Sequence, residues 1–242
     1  MPIRAVLFDL GDTLFRLDPI GPSIQDDLSR LIHERTPLRS DDADGVTRAL
    51  SDRIRSYANG LGDGSELREI DIAAEASRLL RAAGSTEEGH STGEAVANLF
   101  SEADIARFRP ADDCATRVEA FRNAGLRLAI VSNTSSSPAL LTAYLTRIGL
   151  ASLFETIVYS VELGWRKPDP RVYTAALAAL DVAPAEALFV GDRILQDVAG
   201  PQAIGMRAVL THEFRQEAPG SAQPLAVVNR LGDLHEVIVQ AP

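Results

Sequence analysis

The sequence predicts an α/β protein built on a doubly wound parallel sheet, with an all-helical domain inserted into it. Two observations carry this prediction. Short apolar runs without helical periodicity, which are typical of buried strands, alternate with segments of helical period over most of the 242 residues. This rhythm is interrupted from residue 16 to residue 108, where helical patterns follow one another with no clear strand between them.

Five apolar runs are the predicted strands of the sheet, and four segments of helical period accompany them. The strands are expected at residues 3–8, 126–131, 156–159, 187–190 and 207–210. The helices are expected at residues 115–123, 138–147, 171–180 and 194–204. Gly125, Gly149 and Gly205 follow three of these helices, at positions where a helix commonly ends in a left-handed residue. Alternation of this kind predicts a parallel sheet with helices on its faces.

Residues 16–108 are predicted to form a helical cap, so that residues 1–15 and 109–242 together make the α/β core. Amphipathic helices are expected at residues 24–35, 46–57 and 67–83. The block contains 18 of the 34 acidic residues and 11 of the 24 basic ones, so −7 of the net charge of −10 lies there. We expect that charge to discourage large polyanionic substrates.

Composition narrows the classes of partner. A net charge of −10 argues against binding to nucleic acid or to an anionic membrane, and no apolar stretch approaches the roughly twenty residues of a membrane span. A single cysteine, Cys114, excludes an intramolecular disulfide and a cysteine-based zinc cluster. We expect its side chain to be buried and to contribute to packing. The first apolar run is too short for a secretory signal, and an acidic residue, Asp9, follows it too early. The cytoplasm is therefore the expected compartment. Monomer and homodimer both remain open.

Polar residues stand where the predicted strands end, which is the edge of a parallel sheet that binds ligands. Asp9 follows the first strand, Ser132 and Asn133 follow the second, and Asp192 follows the fourth, with Asp197 one helical turn further on. Two carboxylates at neighbouring strand ends predict a site for Mg²⁺, which prefers oxygen ligands. Taken singly, Asp192 is equally consistent with a helix cap, and Ser132 with a polar turn.

Lys167 is the only lysine of the chain, since the other 23 of its 24 cationic side chains are arginine. It lies in a loop with two prolines, Pro168 and Pro170, directly before a predicted helix. Lysine presents a compact ammonium, whereas arginine presents a planar fork, so the two are not interchangeable where one point charge must meet a small anion. Lys167 is therefore a candidate for binding a phosphoryl group beside the paired carboxylates.

Together these elements resemble the haloacid dehalogenase superfamily of hydrolases over nearly the whole chain. The DxxxT element that begins at Asp9, the Ser132-Asn133 pair, Lys167 and the Gly191-Asp192 element with Asp197 occur in that family's order, each after its own predicted strand. The resemblance implies a Rossmann-like core with an inserted helical cap. It also implies a Mg²⁺-dependent phosphatase that acts on a small phosphorylated metabolite.

The resemblance assigns the central roles to three residues. Asp9 is implied to be the nucleophile, which attacks phosphorus and forms an aspartyl-phosphate. Asp9 and Asp192 are implied metal ligands, together with the backbone carbonyl of Gly11. Mg²⁺ at that position neutralises the repulsion between a carboxylate and a phosphoryl group.

The other matched residues surround the phosphoryl group in the resemblance. Ser132 and the backbone amide of Asn133 are implied to hold phosphoryl oxygens. Lys167 is implied to balance the charge of the nucleophile and of the transferring group. Asp197 is expected to lie behind the direct metal ligands, where it orients either the waters of the metal or Lys167.

The chain departs from the family pattern at Gly11, where the family's phosphatases place a second aspartate as general acid and base. Loss of a positioned general acid typically costs about 10²–10⁴ in rate. Three hypotheses follow. The first is a phosphohydrolase in which Asp12 or a cap residue replaces the missing acid, or in which the leaving group needs no proton. The second is a 2-haloacid dehalogenase that uses Asp9 as nucleophile, and the third is a non-catalytic binding module. The intact metal pair, serine and lysine favour the first.

Overall fold

The computed structural model describes residues 1–19, 23–59, 67–85, 89–111, 113–218, 220 and 222–240. It divides the chain into two compact units. The core unit comprises Met1–Asp18, Phe108–Thr134 and Thr142–Pro242, and the helical unit comprises Pro19–Arg107 and Ser135–Leu141. No helix within the described residues has the length and apolar character that a membrane crossing requires.

Eight strands occur in the described part of the core unit. They are β1 (Ala5–Phe8), β2 (Phe15–Leu17), β3 (Phe108–Pro110), β4 (Arg127–Ser132), β5 (Thr156–Tyr159), β6 (Ala187–Gly191), β7 (Arg207–Thr211) and β8 (Ala226–Val228). Six of them form one parallel sheet in the order β5-β4-β1-β6-β7-β8. The predicted parallel sheet is confirmed, and β8 is an additional strand that the sequence analysis missed.

Strands β2 and β3 form a small antiparallel pair of their own. Arg16 pairs with Arg109 in this register, so the predicted limits of the inserted block, residues 16 and 108, fall inside the pair. The sequence predicts no strand there. Three residues on each side, partly exposed, are too few to produce a recognisable alternation of apolar and polar side chains.

The helices of the chain fall in two groups. Those along the core sequence are α5 (Cys114–Asn123), α6 (Pro138–Arg147), α7 (Ser160–Leu163), α8 (Pro170–Leu180), α9 (Gly200–Ala203) and α10 (Leu234–Gln240). Those within the inserted block are α1 (Ser23–Arg35), α2 (Ser40–Asn59), α3 (Ile72–Ala82) and α4 (Gly89–Ile105). Gly125, Gly149 and Gly205 have φ values of 83°, 76° and 88°, as expected after a helix.

Several helical predictions need correction. The expected helix 67–83 begins only at Ile72, and the expected helix 46–57 belongs to α2, which already begins at Ser40. The expected helix 194–204 is a π-helical turn, Ile194–Ala199, followed by the short α9. Turns of this kind frequently occur at functional sites. Helix α4 was not predicted, because its first turns contain glycine, serine and threonine and its sequence has weak helical character. Packing against α3 stabilises this helix where its intrinsic helix propensity is low, since Gly93 approaches the α3 backbone closely.

The order in which strands are added to the sheet reverses beside β1, and this reversal locates the site. The chain passes from β1 to β4 and β5 on one side, then returns to add β6, β7 and β8 on the other. A crevice therefore opens beyond the carboxyl ends of β1 and β6. The amide of Asp9 donates to the carbonyl of Val190 over 2.9 Å, which carries the pairing of β1 and β6 one residue beyond β1. All four residues of β1 are fully buried.

Each unit has its own apolar core. In the core unit, Leu7, Phe189 and Tyr173 are fully buried between the sheet and α8, and the Tyr173 hydroxyl donates to the carbonyl of Gln196 over 2.5 Å. In the helical unit, Ile32 and Leu80 belong to a separate cluster contributed by α1 to α4. Cys114 is buried as expected, and burial raises the pKa of its thiol to about 12, so it is not poised as a thiolate nucleophile.

Two glycines within helices of the helical unit are expected to respond oppositely to replacement by alanine. A Cβ at Gly93 would lie 2.1 Å from Ser77 Oγ and 2.6 Å from the carbonyl oxygen of Ala73, whereas a Cβ at Gly45 would meet nothing within 4 Å. Gly93→Ala should therefore destabilise the protein by about 1–3 kcal/mol. Gly45→Ala should stabilise it by about 0.5–1 kcal/mol.

Chemical denaturation of both variants measures this difference in the free energy of unfolding. Equal effects of the two substitutions would contradict the close packing of α3 against α4.

Candidate active site

Three buried carboxylates meet at the crevice. Asp9 follows β1, Asp192 follows β6, and Asp197 lies in the π-helical turn. One oxygen from each lies within 4.8 Å of the others. Their exposures are 8% for Asp9, 1% for Asp192 and 0% for Asp197. The structure thus brings together Asp9 and Asp192, which were predicted at neighbouring strand ends, and adds Asp197 to them.

Glycine at position 191 makes the approach of Asp197 possible. A Cβ added there would lie 2.3 Å from the Asp197 carboxyl carbon, a distance that no side chain tolerates. The carboxylate of Asp197 then accepts at both oxygens, from Lys167 Nζ over 2.7 Å and from the backbone amide of Arg193 over 2.9 Å. Burial raises the pKa of Asp197 to about 6, against the opposing charge of Lys167.

Lys167 lies at the centre of the site. Its Nζ donates to Asp9 Oδ1 over 2.6 Å as well as to Asp197, and it sits 5.1 Å from the centre of the Phe189 ring. The side chain is 1% exposed. Burial acts to lower the pKa of Lys167, but the charges of Asp197 and Asp9 outweigh burial and hold that pKa above its ordinary value. The ammonium is therefore charged at neutral pH.

Asp192 has a partner that the sequence analysis missed. Its Oδ2 accepts from Nη1 of Arg215 over 2.9 Å. Burial, followed by the charges of Asp9 and Asp197, raises the pKa of Asp192 to about 7, although Arg215 opposes this. Arg215 belongs to no recognisable motif. The one available signal was its position a few residues beyond β7, a strand whose carboxyl end lies at the same edge of the sheet.

Ser132 and Asn133 lie at the end of β4 as predicted, and Asn133 has a further contact. Ser132 is the last residue of the strand and is buried. The side chain of Asn133 accepts from the amide of Lys167 over 2.7 Å and donates to the carbonyl of the same residue over 3.1 Å. This pair of hydrogen bonds ties the loop after β4 to the loop that carries the lysine.

The turn after β1 packs Gly11 against Leu17. A Cβ at Gly11 would lie 3.0 Å from Cδ1 of Leu17, so a larger residue would require Leu17 to shift. Asp12 has a φ of 54°, and its Oδ1 accepts from the amide of Leu17 over 3.0 Å. Asp12 is not a member of the three-carboxylate cluster found among the described residues. Thr13 contacts the nucleophile candidate instead, with its Oγ1 3.5 Å from Asp9 Oδ2.

The chemistry of this donor set fits a divalent cation. Among the described residues, the three carboxylates are contacted by two cationic side chains, Lys167 and Arg215, which leaves one negative charge in a buried site when all three carboxylates are ionised. Buried charge without compensation is costly, and the raised pKa of Asp192 reflects that cost. Hard oxygen ligands in this number suit a cation that also keeps several waters.

Comparison with known proteins identifies the class. The chain belongs to the family of haloacid dehalogenase-like hydrolases, whose family model matches residues 3–205. It is 28% identical to glyceraldehyde 3-phosphate phosphatase of Methanopyrus kandleri, over 86% of this chain and 83% of that protein. It is 26% identical to ribulose-1,5-bisphosphate 5-phosphatase of Halopiger xanaduensis, over 95% of this chain and 93% of that protein.

A solved structure shares the fold. The 2-haloacid dehalogenase from Pseudomonas syringae pv. tomato DC3000 superposes with a TM-score of 0.71 over 99% of this chain and 100% of that one. The two sequences are 24% identical, so the likeness concerns the fold alone. The predicted doubly wound core of a haloacid dehalogenase-like hydrolase is thereby confirmed.

The raised pKa of Asp192 predicts a distinctive pH dependence of stability in the absence of metal. The folded state holds a proton on Asp192 up to a pKa of about 7, whereas the unfolded chain loses it near the ordinary aspartate pKa of 3.8. Between these values the native state binds more protons, so stability falls as pH rises. The slope reaches about 1.4 kcal/mol per pH unit for one such group.

Urea denaturation in EDTA between pH 5 and pH 8 measures this slope. Asp192→Asn is the matched control, because it removes the titrating group while keeping the shape of the side chain. It should flatten the profile above pH 6, below which Asp197, with a pKa of about 6, still titrates. A wild-type stability that rises across the same range would contradict the assignment.

Proposed function

We propose that this protein is a Mg²⁺-dependent phosphohydrolase that acts on a small phosphorylated metabolite through an aspartyl-phosphate at Asp9. The observation that carries the proposal is the meeting of three buried carboxylates with the chain's only lysine in the crevice beside β1. Membership of a hydrolase family and relatives that are named phosphatases of small sugar phosphates support it.

Differences in accessibility favour Asp9 as the nucleophile. The side chain of Asp9 is 12% exposed, compared with 2% for Asp192 and 0% for Asp197. Lys167 occupies Oδ1 of Asp9 at 2.6 Å, while Oδ2 has only the long 3.5 Å contact from Thr13 among the described hydrogen bonds. Asp9 Oδ2 is therefore the oxygen best able to reach a phosphorus atom.

The proposed reaction has two steps at Asp9. Oδ2 forms a bond to phosphorus while the bond between phosphorus and the leaving alcohol breaks, and the alcohol oxygen takes up a proton. Water then attacks the acyl phosphate, which releases inorganic phosphate and restores the carboxylate. Mg²⁺, held by Asp9, Asp192 and the carbonyl of Gly11, would neutralise the repulsion between nucleophile and phosphoryl group.

The remaining residues bind and orient. Ser132 and the backbone amide of Asn133 are proposed to hold phosphoryl oxygens, and Lys167 to balance the charge of Asp9 and of the transferring group. The Asn133 side chain accepts one hydrogen bond from the Lys167 backbone and donates another to it, which fixes the backbone from which Lys167 extends. Asp197 orients the ammonium of Lys167. These contacts support a site that is arranged before substrate arrives.

The helical unit is the proposed cap. Its described residues contain helices α1 to α4 around a core of their own. Its larger segment, Pro19–Arg107, is inserted in the sequence between β2 and β3. An inserted unit of this kind is the expected source of substrate selection, because the carboxylates and the lysine of the core serve any phosphate ester.

The proposal predicts metal-dependent hydrolysis of para-nitrophenyl phosphate by the purified protein. EDTA should abolish the activity and Mg²⁺ should restore it. Asp9→Asn should lower the rate by more than about 10³-fold, because the amide cannot attack phosphorus. Asp52→Asn, at an aspartate whose side chain is 73% exposed, is the control and should leave the rate unchanged.

Normal turnover by Asp9→Asn would refute the mechanism. Release of halide from 2-chloropropionate that persists in EDTA would point to the dehalogenase alternative, since displacement of halide by Asp9 needs no metal. Absence of any Mg²⁺-dependent stabilisation by BeF₃⁻ would point to a non-catalytic module.

The missing aspartate at position 11 predicts a dependence on the leaving group. The leaving groups of aryl and acyl phosphates depart without protonation. These substrates should therefore be hydrolysed faster than alkyl phosphates. Asp12 is proposed to supply the proton to poor leaving groups. Its Oδ1 accepts from the amide of Leu17, so Oδ2 would carry the proton. Asp12→Asn should lower alkyl phosphate hydrolysis by about 10²–10⁴ and leave para-nitrophenyl phosphate within a few-fold.

Steady-state rates on para-nitrophenyl phosphate and glyceraldehyde 3-phosphate, for wild type and Asp12→Asn, test this dependence. Equal wild-type rates on the two substrates would show that an unrecognised acid is in place. An equal loss on both in Asp12→Asn would restrict Asp12 to shaping the turn.

A further inference from the structure

Arg215 contacts the proposed metal site and has no role in the mechanism above. It lies in the segment 212–218, which follows β7. Its Nη1 donates to Asp192 Oδ2 over 2.9 Å, and its side chain is 32% exposed, while the carboxylate that it meets is 2% exposed. The arginine therefore reaches from the surface to a buried acid.

The segment that carries Arg215 is anchored on both sides of it. Glu213 accepts from Arg117 Nη1 over 2.7 Å and from the amide of Leu231 over 2.5 Å. Glu217 accepts from the amide of Ile194 over 2.7 Å, at the start of the π-helical turn. These contacts hold the backbone on both sides of Arg215, so its side chain extends from a fixed position.

We propose that Arg215 is a positioning residue that fixes the Asp192 carboxylate for the metal. A carboxylate held by one charge-assisted hydrogen bond at Oδ2 cannot rotate freely, and its Oδ1 is left to face the cation. The proposal rests on the Mg²⁺ site of the proposed function and adds a specific residue to it. Partners of this kind typically contribute about 10–100-fold to metal affinity.

Charge alone leads to the opposite expectation, and this makes the proposal testable. Arg215 is a cation beside a cation site, so a purely electrostatic role predicts tighter Mg²⁺ binding when it is removed. The chain offers a matched control in Arg193, the residue next to Asp192. Its side chain is exposed and acts on the Asp192 carboxyl through its charge. Arg193→Gln removes that charge without removing a hydrogen bond to Asp192.

The experiment is isothermal titration of Mg²⁺ into the metal-free full chain at pH 8, for wild type, Arg215→Gln, Arg215→Lys and Arg193→Gln. We expect Arg215→Gln to raise the Kd for Mg²⁺ about 10–100-fold. Arg215→Lys should recover part of the loss, because it keeps a charged donor without the planar fork. Arg193→Gln should bind Mg²⁺ as tightly as wild type or slightly more tightly.

Mg²⁺ binding by Arg215→Gln that equals or exceeds wild type would overturn the proposal, and so would equal weakening in Arg215→Gln and Arg193→Gln. Failure of wild type itself to bind Mg²⁺ would remove the proposed metal site and this inference with it. Thermal unfolding in EDTA shows which variants are folded. If Arg215→Gln is not, Arg215→Lys carries the test, with weaker binding than wild type expected and unchanged binding overturning it.

Discussion

The ammonium of Lys167 between Asp9 and Asp197 is the interaction on which the site depends. Three carboxylates from two strand ends and a π-helical turn could not share so small a buried volume without a cation among them. Removing one partner of a buried pair typically costs about 3–5 kcal/mol, because the other charge is left uncompensated. Lysine suits the position because it delivers one compact charge to two oxygens, at 2.6 Å and 2.7 Å.

Much of the core and of this cluster was predictable from the sequence. A strand buried on both faces appears as a continuous apolar run, and the ends of parallel strands meet at one edge, so Asp9 and Asp192 could be placed together without coordinates. Strand β8 and the β2–β3 pair were not predictable, since three partly exposed residues carry no pattern. The contacts of Arg215 depend on the path of an irregular segment, which no periodicity encodes.

The turn after β1 is where the chain departs from the family pattern. Gly11 lies against Leu17, and Asp12 bonds the amide of that same residue. The turn is therefore packed around a glycine, and an acid at position 11 could not be added without moving its neighbour. Chemistry in this site is shaped by how the chain leaves the first strand as much as by the acids that it retains.

A sole lysine with a side chain 1% exposed has a practical consequence. Amine-directed reagents, such as acylating labels and formaldehyde cross-linkers, find no other side-chain amine in this protein. Modification of a side-chain amine therefore reports the exposure of Lys167 alone, and it needs no substrate and no engineered probe.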